Sequence, residues 1–94
     1  MPKTPKESPL VLRIYVAGNG PNSLRAVANA KALCNEHFAA YELEVVDMLK
    51  HPNRALEDGV IVTPTLLKLS PLPAVRLFGS LSDAAQVLLH LASG

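Results

Sequence analysis

Leu10, Leu12, Ile14 and Val16 alternate with Val11, Arg13 and Tyr15. This period of two, rich in branched residues, predicts a first strand. Both of its faces are largely apolar, as an interior strand covered on two sides requires. The stretch from Ala17 to Pro21 holds two glycines and a proline and ends the strand. Asn22 or Ser23 can then cap a helix running from about Ser23 to Phe38. Leu24, Val27, Ala30, Cys34 and Phe38 recur along it every three or four residues, as one buried stripe. Tyr41 to Asp47 alternates again, with Leu43 and Val45 assigned to the core face and Glu42 and Glu44 opposite. Strand, helix and strand at this spacing make a βαβ unit with parallel strands and a right-handed crossover.

The second half is written in shorter pieces. Pro52 suits a first helical turn and Asp58-Gly59 a stop, so His51 to Asp58 is expected to be a short helix. Leu66 to Leu69 and Ala74 to Phe78 are expected to be strands joined by the turn Ser70-Pro71-Leu72-Pro73, whose prolines cannot donate to a ladder. Ser82 is the expected cap of a last helix that buries Val87, Leu88 and Leu91. The order β-α-β-(α)-β-β-α is that of a single α/β domain of thioredoxin-like build. It is expected over residues 10–94, behind a loose, proline-bearing tail over residues 1–9.

Composition narrows the function. The 94 residues are enough for one domain, and 49% apolar against 18% charged residues can fill its core. A net charge of +1 lacks the clustered basic excess of a nucleic-acid surface. No window reaches the length of a membrane span and no signal peptide opens the chain. A single cysteine, Cys34, cannot close an internal disulfide, which points to the reducing cytoplasm.

Candidate chemistry fares poorly. A thioredoxin-like enzyme needs a thiolate at the start of its first helix and usually a second cysteine to resolve the intermediate. Here that loop reads Gly18-Asn19-Gly20-Pro21-Asn22-Ser23, with no sulfur, and Cys34 lies more than two turns inside the helix. It reads as a small buried hydrophobe, with redox or chaperone-like work as the alternative. Gly18-Asn19-Gly20 follows a strand as a dinucleotide loop would, but Ser23 stands where the third glycine belongs and Asp47 lies too far on for the ribose acid. The two glycines are read as letting the backbone turn. His37, His51 and His90 lack metal-ligand spacing. Arg25, Lys50, Arg54, Lys68 and Arg76 are scattered cations that could act only together, as a docking patch.

Four blocks carry a resemblance. Tyr15-Val16-Ala17-Gly18-Asn19-Gly20-Pro21-Asn22-Ser23, Val46-Asp47-Met48-Leu49-Lys50-His51-Pro52, Thr63-Pro64-Thr65-Leu66 and Gly79-Ser80-Leu81-Ser82-Asp83 occur in the order found in the KaiB family, over about residues 10–92. The sensor domain of SasA-type histidine kinases is similar in its opening. The resemblance implies a non-catalytic regulator of circadian signalling that needs no cofactor and docks on the ring-shaped KaiC-type ATPase. It implies Lys50, Lys68 and Arg25 as partner-binding positions and a cis bond before Pro64. KaiA or a histidine kinase is implied as a further partner, against which stands Glu44, where the usual family has a lysine on a partner-capturing strand. The family's Gly-Asp-Leu-Ser-Asp is Gly-Ser-Leu-Ser-Asp here, and its acidic tail is missing, which reads as a divergent member. The family also has a second, tetrameric fold; the capped last helix and proline-turn hairpin favour the thioredoxin-like monomer here. A free-standing SasA-like sensor domain is the remaining alternative.

Overall fold

The computed structural model describes residues 10–79 and 81–92. The tail expected over residues 1–9, Ser80 of the fourth block and the last two residues lie outside this set. The elements are β1 (Leu10–Val16), α1 (Pro21–His37), β2 (Tyr41–Asp47), α2 (Pro52–Glu57), β3 (Thr65–Ser70), β4 (Val75–Phe78) and α3 (Ala84–Ala92). One sheet has the order β2-β1-β3-β4. β1 runs parallel to β2 and antiparallel to β3, and β3 pairs antiparallel with β4. This is the thioredoxin-like order read from the sequence.

β1 is interior, as its two apolar faces require. One face carries Leu10, Leu12, Ile14 and Val16, which pack with Leu66 against Ala26, Ala30, Leu33 and Cys34 of α1 and Val87 and Leu91 of α3. The opposite face carries Tyr15, Val46 and Leu67, and meets Ala55 of α2 and Val60. The covering is unequal. Two helices of 17 and 9 residues close the first face, whereas the second receives a helix of 6 residues.

Several boundaries differ from the sequence reading, each for a physical reason. α1 starts at Pro21, with Gly20 as its cap and no side-chain cap bond, so neither Asn22 nor Ser23 caps it. Proline at the first helical position has no N–H to satisfy and a torsion already suited to the helix. Ser23 turns inward instead and is buried. The buried stripe of α1 is Ser23, Ala26, Ala30, Leu33 and Cys34, one position round from the expected one. The flank of α1 with Leu24 and Val27 faces Val45 of β2, the edge strand, beyond which there is no further strand among the described residues. Leu24 therefore stays 58% exposed, and so does Val45, at 45%, although its register with Ile14 puts it on the helix-covered face. In α3 the cap is Asp83, not Ser82: its Oδ1 accepts the Gln86 N–H at 3.2 Å, and a carboxylate suits the positive end of the helix dipole.

The two glycines of the first loop are unequal. Gly18 has φ +70°, in the left-handed region, and is bonded through its N–H to Asp47 Oδ1 at 3.1 Å. Gly20 has φ −62°, and a Cβ there would meet nothing within 4 Å, so any residue fits. Gly18→Ala is expected to lose about 1–2 kcal/mol in urea unfolding. Gly20→Ala is expected to change stability by under about 0.5 kcal/mol.

Candidate functional site

The strand directions gather the distinctive loops at one end of the sheet. β1 and β2 finish there, and antiparallel β3 begins there, because Thr65 stands opposite Tyr15 and Phe78 opposite Thr65. This end therefore holds the Gly18–Gly20 loop, the first turns of α1 with Arg25, the turn after β2 with Leu49 and Lys50, and the segment Ile61–Pro64. The Thr63–Pro64 bond is cis, as are Ser70–Pro71 and Leu72–Pro73. Pro64 itself is buried, and its carbonyl accepts the Gly79 N–H at 3.0 Å, which ties the loop to the end of β4.

Around this end the surface is apolar. Ile61 is 89% exposed and Leu49 71%, and Val62 and Phe78 are open to solvent as well. Ile61, Val62 and Phe78 line a shallow groove of about 360 Å³ with Gly59 and Arg76. Apolar side chains grouped this way on a small domain are typical of protein-contact surfaces.

The five cations separate. Arg25 and Lys50 are exposed at this end. The other three are engaged within the molecule. Lys68 pairs with Leu12 on the face covered by α3, is 1% exposed, and donates from Nζ to the Leu91 carbonyl at 3.3 Å. A cation there complements the carbonyl end of the helix, and the partner-facing position expected of Lys68 is not available while α3 is in place. Arg76 donates to the Asp58 carbonyl at 2.7 Å and the Gly59 carbonyl at 3.1 Å, closing the end of α2. Arg54 forms a fork with Glu44, Nη1 to Oε2 and Nη2 to Oε1, each at 2.8 Å.

Glu44 also accepts from Arg13 Nε at 2.8 Å, and Arg13 Nη1 reaches Asp58 at 2.9 Å. The Tyr15 hydroxyl sits among the same groups and bonds Asp58 and the Arg54 carbonyl. Arg54 and then Arg13 hold the Glu44 carboxyl down at about 2, against an ordinary 4.5. Asp58 is lowered too, chiefly by the Tyr15 hydroxyl and then by Arg13. Burial, and then Asp58, push the Tyr15 hydroxyl up. Sequence patterning gave no sign of this cluster, because its bonded side-chain pairs are separated by 10 to 45 positions. Only the acid–base alternation at Glu44 and Arg13 on facing strands could have hinted at it.

Catalytic chemistry finds little support at this end. Cys34 is fully buried on the sheet-facing side of α1, and burial pushes its thiol up, away from the reactive thiolate. Among the described residues no three histidine, cysteine or acidic side chains group as a metal site. Nor is any described helix long and apolar enough to cross a membrane.

The KaiB domain matches residues 13–93 of the chain. The chain belongs to the KaiB family. It is 48% identical over 82 residues to the circadian clock oscillator protein KaiB of Synechococcus elongatus, covering 86% of this chain and 80% of that one. To the KaiB of Trichodesmium erythraeum it is 44% identical over 89 residues, covering 94% and 86%. Among solved structures it resembles the N-terminal domain of Synechococcus elongatus SasA, with a TM-score of 0.73 at 28% identity over 89% of this chain and 84% of that one. Chloroplastic thioredoxin z shares the fold at a TM-score of 0.74 and 17% identity, over 92% and 78% of the two chains. A circadian clock regulatory family on a thioredoxin-like scaffold is the outcome, in agreement with the four sequence blocks.

Two outcomes follow. The lowered Glu44 and Asp58 carboxyls stabilise the fold above their ordinary values, and that contribution is lost as the pH falls from about 4.5 towards 2. Glu44 is half-exposed, so its share is expected to be about 1 kcal/mol or less. Urea titrations of wild type and Glu44→Gln should converge at pH 2, and 1 M salt should shrink their gap at pH 7. Separately, native protein is expected to react with a thiol reagent at least about 100-fold more slowly than urea-unfolded protein, and to show no insulin-reducing turnover that depends on Cys34.

Proposed function

We propose that this chain is a non-catalytic docking module that binds a KaiC-type ATPase ring with the loop end of its sheet and so modulates circadian or related signalling. The observation that carries the reading is what occupies that end. Where a thioredoxin-like enzyme needs its thiolate, the Gly18–Ser23 loop has no sulfur. Beside it lie the exposed apolar side chains Leu49, Ile61, Val62 and Phe78 and the free-standing bases Arg25 and Lys50. An apolar centre with a charged rim is the anatomy of a protein interface: the centre supplies affinity, and the rim speeds and orients encounter. Membership of a circadian clock family supports a clock-protein partner of this class. The protein acts as a cytoplasmic monomer in the thioredoxin-like state. Lys68 serves it by holding the end of α3 and meets a partner only if that helix leaves.

Capture of a further clock protein, KaiA or a kinase, at the β2 edge is the weaker part of this reading. Glu44 carries the reversed charge there, and both its oxygens are already taken by arginines. The likeness to the SasA N-terminal domain favours a second reading, a free-standing SasA-like sensor domain. Both readings use the same docking end.

Co-elution with a KaiC-type ATPase tests the proposal. Arg25→Glu with Lys50→Glu is expected to weaken binding about ten-fold or more at low salt, equal to about 1.4 kcal/mol, and less at high salt. Phe78→Ala is expected to weaken it by a similar factor at any salt. Equal binding by all three proteins would remove this end from the interface.

A further inference from the structure

α2 is too short to hold itself. It has six residues, Pro52–Glu57, and buries only Ala55. Helices below roughly 12 residues are marginal without tertiary support. The support comes from charge. Arg54, in the middle of α2, grips Glu44 of β2 with both guanidinium nitrogens at 2.8 Å. A forked pair of this kind fixes orientation as well as distance. Arg13 of the central strand takes Glu44 on one side and Asp58, just past α2, on the other, at 2.8 and 2.9 Å. Two cations and two carboxylates thus close a network that starts on β2, crosses β1 and reaches both the middle and the end of α2.

The chain leads from β2 through the Leu49–Lys50 turn into α2 and on to Ile61 and Val62. Whatever sets α2 sets both flanks of the docking end. We propose that Glu44 is a positioning residue for that end, acting through Arg54 and Arg13 inside the molecule rather than as a charge offered to a partner at the β2 edge. Its carboxylate is neutralised where it stands, so it orders the surface without advertising a sign. This rests on the docking reading above as far as binding is concerned; the ordering of α2 does not.

The experiment is a double-mutant cycle with two readouts, amide exchange and affinity for a KaiC-type ATPase. In Glu44→Gln, exchange at Asp58, whose N–H donates to the Arg54 carbonyl at 3.1 Å, and at Val60, bonded to Ala55 at 2.9 Å, is expected to speed up about ten-fold, with β1 and β3 unchanged. Affinity is expected to fall about three- to ten-fold in Glu44→Gln and in Arg54→Gln, and the double variant should lose no more than about two-fold beyond either. Unchanged exchange in α2 overturns the proposal whatever the binding result. Multiplicative losses of affinity also overturn it, since Glu44 then acts on the partner directly. If wild type fails to bind the ring, the docking reading fails, and the exchange arm still decides whether Glu44 orders α2.

Discussion

Unequal covering of the sheet is the constraint on which the rest of the structure turns. The face under α1 and α3 is closed by ordinary apolar packing, with Ile14, Ala26, Ala30 and Cys34 all essentially inaccessible. Such packing holds a helix without specific partners. The other face receives only α2, and one buried alanine cannot supply a comparable grip. There the polar groups of the sheet take over. Tyr15 presents its ring to the core and its hydroxyl to Asp58 and Arg54, so a single side chain joins the apolar layer to the charged one. A helix held by half-exposed ion pairs is adjustable in a way that a helix held by leucines is not. That face adjoins the exposed apolar end of the sheet.

On the proposed docking reading, the loop end of this thioredoxin-like scaffold offers contact where a redox protein offers a thiolate. Redox work needs a thiolate at the head of α1, where the helix dipole favours negative charge. Here proline opens that helix behind a glycine, and the sulfur sits deep in the buried stripe, where burial opposes ionisation. What remains at the loop end is shape: a buried cis proline tied to Gly79, a glycine loop tied to Asp47, and between them side chains such as Ile61 that the core does not take in.

Much of this was legible in the sequence, and the reasons are local. β1 announces itself because alternation and branched residues agree over seven positions, and its two apolar faces correctly place it in the interior. The βαβ half follows from spacing, and the hairpin from two prolines in its turn. The misreadings are of two kinds, one set by the whole sheet and one by a choice between neighbouring start signals. Leu24 and Val45 have the right period for burial, but their exposure depends on β2 being an edge strand, which is a property of the whole sheet. Proline at the head of α1 displaced Asn22 and Ser23 as the start signal, and Asp83 at the head of α3 displaced Ser82.

The cations show the sharpest limit. In the sequence Arg25, Lys50, Arg54, Lys68 and Arg76 are five similar isolated charges, and nothing in their spacing separates them. The fold sorts them by what lies opposite. Lys68 and Arg76 meet helix-end carbonyls, Arg54 meets a carboxylate across the sheet, and Arg25 and Lys50 face outward. The sorting changes the meaning of Glu44. Taken alone on an edge strand it looks like a reversed signal to a partner. With two arginines on its oxygens, its charge is cancelled locally, and the relevant question becomes which element those arginines hold. A substitution on an interaction surface has therefore to be read together with the intramolecular partners it acquires, because a charge that is compensated at under 3 Å contributes little field at the distance of a docking protein.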